Sequence, residues 1–285
     1  MRRIGATGII LCASLLLAGP GQAAEPCPAG VSALGVSRTV QIDTSAGPAF
    51  GEPYGTHDLL KDHEVVLTFD DGPLRSHTQS ILDALDAQCT KATFFLVGKM
   101  AINDPQMVKE IARRGHNVGT HTWSHANLAH LSPARAEQEI ELGFSAVQQA
   151  LGKEIAPFFR FPYLAKTVAL SAYLQNRQVS AFFIDVDSKD YRTKSGASVL
   201  ERVMSQLDRR HKGILLFHDI QLSTSRALPS VLSALKAGGY KVVHLHPKSQ
   251  LKEVAALKVP PTAKPHRKRM RVVHHPDPPF WAIGN

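Results

Sequence analysis

Val65-Val66-Leu67-Thr68-Phe69-Asp70-Asp71-Gly72-Pro73 runs from an uncharged, mostly apolar stretch straight into two adjacent carboxylates and a turn dipeptide. A continuous run of this kind predicts a strand buried on both faces, as in a parallel sheet covered by helices. The carboxylates at its end then need solvent, a partner or an ion, because burying a charge unpaired is costly.

Reading outward from that strand, helix and strand periods alternate. Ile81, Leu82 and Leu85 give Ser76 to Ala87 a helical face, and Ala92 to Val97 is the next strand. Pro105 to Arg114 reads as a helix and Asn117 to Thr120 as a short strand. Ser132-Pro133 opens the following helix as N-cap and first-turn proline. Ala136, Ile140, Phe144, Val147 and Leu151 line its apolar face, and Gly152 ends it. Phe158 to Phe161, Val179 to Ile184, Ile214 to Phe217 and Lys241 to Leu245 read as further strands. Val199, Val203 and Leu207 mark one intervening helix, and Leu228, Val231, Leu232 and Leu235 another. About seven strand–helix units in one series suit a closed or nearly closed α/β barrel, with reactive groups at the carboxyl ends of its strands.

The flanks read differently. Arg2-Arg3, the apolar run Ile9 to Ala18, the break at Gly19-Pro20-Gly21 and the small residues after it describe a secretory signal peptide over residues 1–24. The alternative, a membrane anchor, needs a longer run to cross roughly 30 Å of hydrocarbon. Residues 25–60 have no sustained period and read as a segment lying over the domain surface, with Thr39 to Ile42 as a short strand. The domain itself occupies residues 61–247. Residues 248–285 read as a Pro-rich, disordered basic tail. Six Lys or Arg against one acid in residues 258–285 account for much of the net charge of +9. The basic character thus belongs to a tail suited to anionic envelope polymers, not to a nucleic-acid-binding core. With Cys12 removed in the signal, Cys27 and Cys89 remain, either as a disulfide or as two thiols.

Polar residues that interrupt apolar strands carry the chemistry. Asp70-Asp71, His121 with His125, Arg160, then Asp185, Asp187 and Asp190, and finally His218-Asp219 fall at five predicted strand ends. Two imidazoles four residues apart and one carboxylate, Asp71, compose a three-ligand cation site with open positions, as in catalytic zinc centres. Alone, His-x3-His describes surface histidines as readily, and Asp-Asp-Gly-Pro describes a turn cap. Together they divide the pair: Asp71 holds a metal, and Asp70 serves as base toward a water activated there.

At this point the chain resembles the polysaccharide deacetylase family, the NodB-homology or carbohydrate esterase 4 group. The resemblance rests on Thr68-Phe69-Asp70-Asp71-Gly72-Pro73, His121-Thr122-Trp123-Ser124-His125, Arg160-Phe161-Pro162-Tyr163, Asp187-Ser188-Lys189-Asp190-Tyr191 and Leu216-Phe217-His218. All five occur in family order, across about two-thirds of the chain. The resemblance implies a distorted (β/α) barrel and a divalent metal, usually Zn²⁺ with Co²⁺ as a substitute, held by Asp71, His121 and His125. It implies Asp70 as general base oriented by Arg160, and His218 as general acid paired with Asp190. Leu216 would line the pocket for the acetyl methyl, the Tyr163 N–H would help hold the oxyanion, and Tyr191 would form a groove wall. Phe161 and Leu164 stand where the family carries proline and glycine, and Tyr191 where it carries tryptophan.

The implied reaction is hydrolysis of the N-acetyl amide of N-acetylglucosamine units in chitooligosaccharide or peptidoglycan, by an exported monomer in the periplasm or medium. A carbohydrate-binding pseudoenzyme on the same fold would be expected to lack a ligand, the base or the acid, and none is missing. A zinc peptidase would carry glutamate in His-Glu-x-x-His, which His121 to His125 lack. An O-acetyl esterase remains a further alternative.

Overall fold

The computed structural model describes residues 32–54, 59–249, 251 and 259–260. The signal peptide, Cys27 and most of the tail lie outside them. Cys89 is disulfide-bonded. The first elements are two short strands, β1 (Arg38–Ile42) and β2 (Ala49–Phe50), followed by β3 (Glu64–Asp70) and α1 (Arg75–Ala87). β4 (Thr93–Leu96), α2 (Gly98–Asn103), α3 (Pro105–Arg113), β5 (Asn117–Thr120) and α4 (Pro133–Leu151) come next. β6 (Phe158–Phe159), α5 (Val168–Asn176), β7 (Ser180–Phe182), β8 (Val186–Asp187) and α6 (Gly196–Arg210) lead to β9 (Gly213–His218), α7 (Leu222–Ala237) and β10 (Lys241–Pro247).

Every ladder between these strands is parallel, and β3, β4, β5, β6 and β7 pair in sequence. β7 runs through residues 183–185 into β8, which pairs with β9, and β9 pairs with β3. The chain therefore returns to its first barrel strand, with the closure made by one interrupted strand. That interruption distorts the barrel: β7 carries β2 on its outer edge, while β8 serves the other side. Sequence periodicity places one strand over residues 179–184, which takes in β7 and stops short of β8.

Where it is described, the stretch before residue 60 adds strands to the sheet. β1 pairs with β10 and β2 with β7. Ile42 is buried with Leu59, Leu60, Val243 and Leu245 against the barrel interior. At the other end, Leu251 is buried in the outer core, and Val259 packs against the cluster of Trp123, Leu142 and Ala146.

Strand alternation sorts the side chains. Val65, Leu67 and Phe69 on β3 face the helices, with Leu215 and Phe217 of β9 and Phe159 of β6. Val66, Phe95, Phe158, Phe182 and Ile214 fill the interior. The same two-residue period carries the inward column onward: Val66 and Thr68 lead to Asp70, Phe158 to Arg160, and Ile214 and Leu216 to His218. Apolar residues plug the amino end, and titratable ones crown the carboxyl end.

Candidate active site

Arg160 is the largest fully buried side chain, with no exposed surface. Its Nη1 donates to Asp70 Oδ1 at 2.7 Å and to Thr68 Oγ1 at 2.8 Å, and Nε donates to the Phe182 carbonyl at 3.0 Å. The guanidinium lies 4.4 Å from the centre of the Phe95 ring. Such a fork satisfies a buried carboxylate and fixes its direction. Burial pushes the Asp70 carboxyl up to about 6, against the opposing pull of Arg160 and then His218. Arg160 pulls this group down, but desolvation outweighs it. A carboxylate tuned near neutrality is well matched to accepting a proton.

Asp71 turns the other way. It sits at φ 78°, and its Oδ1 is buried without a hydrogen-bond donor. His125 Nε2 stands 3.2 Å from that oxygen and His121 Nε2 3.6 Å. His121 Nδ1 donates to the Arg160 carbonyl at 2.7 Å, which aims Nε2 into the cluster. Burial, and then His125, push the His121 pKa well below its usual value, so it is a neutral donor. Three ligand atoms within 4.8 Å of one another, one of them an orphaned carboxylate oxygen, fit a divalent cation.

The loop bearing these histidines is held from several sides. Thr122 and His125 adopt left-handed backbone, at φ 68° and 59°. α2 donates its Gly98 and Lys99 N–H groups to the Thr122 and Trp123 carbonyls. Glu139 on α4 accepts from Ser124 N and Oγ, at 2.9 and 2.8 Å. α4 comes so close at Gly143 that a Cβ there would lie 2.7 Å from the Thr122 carbonyl carbon. Surroundings that over-determine a loop can hold strained residues in place.

Across the rim, His218 Nδ1 bonds Asp190 Oδ1 at 2.7 Å, and the His218 N–H donates to Asp190 Oδ2 at 2.7 Å. Thr224 Oγ1 also donates to Asp190 Oδ2, and Ser223 Oγ donates to the Asp190 carbonyl at 2.8 Å. Burial works against charge on His218, but Asp190 and the more distant Asp71 and Asp70 raise its pKa to about 10. Asp187 does not reach His218. It accepts from Tyr191 Oη at 3.2 Å and from Lys189 N at 2.9 Å. Asp185, grouped with the rim in the sequence argument, turns instead to strand backbone and accepts from Ile214 N at 2.7 Å.

Two exposed rings flank this pair of centres. Tyr163, 49% exposed, stands edge-on to His125 at 4.8 Å, and Tyr191, 43% exposed, edge-on to His218 at 5.4 Å. Leu216 is buried one inward position before His218. Tyr163 and Leu164 have φ of 58° and 55°, so the position where the family carries glycine keeps a left-handed backbone here despite its side chain. Phe161 packs into the outer core against Phe159 and Phe183.

Asp219 has a place that the sequence argument left without a role. It is fully buried, and its Oδ2 accepts from Thr78 Oγ1 at 2.6 Å. Burial, with Asp71 and Asp70 adding to it, raises its pKa to about 7. Its carboxylate lies against Gly72, where a Cβ would fall 2.0 to 2.3 Å from the carboxylate atoms. Gly72→Ala is therefore expected to cost about 3 kcal/mol of stability. By moving Asp71 it should also weaken Zn²⁺ binding about tenfold or more. Urea denaturation and a Zn²⁺ titration of the variant check both.

An acid held protonated and a base poised near neutrality share one rim with a cluster that fits a cation. That combination, at the carboxyl end of an α/β barrel, is the equipment of a hydrolase that works by acid–base chemistry. The comparisons narrow the class. The polysaccharide deacetylase family profile matches residues 58–182. A peptidoglycan-N-acetylglucosamine deacetylase of Listeria monocytogenes is 35% identical over 63% of this chain and 37% of its own length. A chitooligosaccharide deacetylase of Bradyrhizobium is 28% identical over 72% of this chain and 97% of its own. Among solved structures, a peptidoglycan deacetylase of Bdellovibrio bacteriovorus superposes with a TM-score of 0.70 at 34% identity, covering 81% of this chain and 64% of its own. The chain belongs to the polysaccharide deacetylase family. It spans little more than a third of the Listeria relative and just under two-thirds of the Bdellovibrio one.

Proposed function

We propose that this chain is an exported, metal-dependent deacetylase that hydrolyses the N-acetyl amide of N-acetylglucosamine units in a peptidoglycan or chitooligosaccharide chain. The observation that carries this reading is the opposed tuning of Asp70 and His218 across one rim, beside the Asp71, His121 and His125 cluster. Residues 1–24 direct export, residues 61–247 carry the activity, and the basic tail adds affinity for anionic envelope polymers. Among the described residues no helix is long and apolar enough to cross a membrane.

Held by Asp71, His121 and His125, a divalent ion, Zn²⁺ in this reading, supplies Lewis acidity toward the amide carbonyl and toward water. Asp70 does the first proton transfer. Arg160 engages its Oδ1, and Oδ2, 3.8 Å from His121 Nε2, takes the proton of the attacking water. The Tyr163 backbone N–H donates to the developing oxyanion, and Leu216 meets the acetyl methyl. His218, protonated and held at Nδ1 by Asp190, gives a proton to the amine as the C–N bond breaks. Acetate and a free glucosamine amine result. The Tyr163 and Tyr191 rings form the walls along which the sugar lies.

The test is acetate release from chitopentaose and from peptidoglycan. Release is expected to fall to background with a chelator and to return with Zn²⁺ or Co²⁺. Release unaffected by chelation would overturn the metal dependence. Release absent with both substrates, metal bound, would overturn the substrate.

A further inference from the structure

A second constellation lies at the opposite end of the barrel. Asp62, His63 and His211 offer ligand atoms that all lie within 4.8 Å of one another. His63 immediately precedes β3, and His211 lies between α6 and β9. The two loops are tied through their backbones: His63 N–H donates to the His211 carbonyl at 2.8 Å, and Lys241 N–H to the His63 carbonyl at 2.8 Å. Asp62 Oδ2 meets His63 Nδ1 at 2.7 Å, the His63 and His211 ring centres are 5.6 Å apart, and Tyr240 backs His63 at 5.1 Å.

The backbone gives an independent sign of constraint. His63 and His211 have φ of 57° and 62°, the left-handed region where glycine is the inexpensive choice. An L side chain is held against its own steric preference at each of these two positions. Both imidazoles are partly or fully open to solvent, so an ion can enter. β3 and β9 pair from Val65 with Gly213 to Asp70 with His218. The cluster therefore sits about 20 Å from the catalytic rim, at strand spacing, under the same two strands that present the base and the acid.

We propose that Asp62, His63 and His211 form a second divalent-cation site, distinct from the rim cluster. Two imidazoles and one carboxylate suit Zn²⁺, Cu²⁺ or Ni²⁺ rather than Mg²⁺ or Ca²⁺. The bound ion cross-links the start of β3 to the start of β9. By linkage it stabilises the folded barrel in proportion to its concentration over its Kd.

The test uses the untagged full chain and Zn²⁺ itself, with stoichiometry from equilibrium dialysis. His211→Gly and His63→Asn each remove a ligand while placing a residue that tolerates positive φ, so the metal-free melting temperature should not fall. Each should lose one bound equivalent, with affinity at that site down about 100-fold or more, since even outer-shell losses cost 10- to 100-fold. The His121→Ala/His125→Ala variant should lose a different equivalent and still gain melting temperature from Zn²⁺. Adding His211→Gly to it should abolish that gain. The tail histidines His266, His274 and His275 remain in every variant and cannot produce these differences. Unchanged stoichiometry and affinity in His211→Gly would overturn the site, as would a Zn²⁺-dependent gain that survives in the triple variant.

Discussion

Asp70→Asn is expected to lower kcat for acetate release by about 10³- to 10⁴-fold, the range a positioned general base contributes. Asparagine keeps the shape and can still accept from Arg160, but it cannot take a proton. The variant also leaves Arg160 buried without its counter-charge, and Thr68 and the Phe182 carbonyl only partly compensate. A stability loss of about 3 kcal/mol should accompany the loss of activity. The measurement is therefore paired: kcat at a temperature where circular dichroism shows the variant folded, and Zn²⁺ content by dialysis. Retained Zn²⁺ with lost turnover assigns Asp70 to proton transfer. Retained turnover would remove it from the mechanism, and lost Zn²⁺ would make it a ligand.

Asp190→Asn should act through pH. In the wild type the base must be ionised and the acid protonated. Activity should rise with pH at or below about 6, as Asp70 ionises, because a cation at Asp71 pulls that limb further down. It should fall near pH 10, as His218 loses its proton. Removing the Asp190 charge leaves burial as the dominant influence on His218, and burial favours the neutral ring. The alkaline limb then moves down to near or below neutrality, and turnover at pH 8.5 falls by about 10²-fold. Lowering the pH should recover part of it. Asp187→Asn is the control: Asp187 serves Tyr191 and Lys189, so the alkaline limb should stay in place. An alkaline limb unchanged in Asp190→Asn would show that His218 does not depend on this pair.

Much of the site was legible because strand ends punctuate the sequence. Apolar runs stop at Asp70, after Thr120 and at His218, and a buried strand tolerates such residues only at its rim. The alternation of Val66, Thr68 and Asp70, or of Ile214, Leu216 and His218, assigns each to one column without any tertiary knowledge. Arg160 was harder. Its β6 ladder is only two residues long, so the chain direction there rests on packing by Phe158 and Phe159, not on a long ladder.

By itself, then, the sequence determined the alternating α/β order, the rim on which acids and histidines gather, and the family. These depend on local period, and local period is written in neighbouring residues. Only the tertiary structure decided how the barrel closes through the β7–β8 interruption and that β1 and β2 join it. It also turned Asp185 to the Ile214 backbone and set Asp219 behind Gly72. Each of those depends on contacts between residues far apart in the chain. Burial, which raises Asp70 despite Arg160, is likewise a property of the assembled interior, not of any stretch within it.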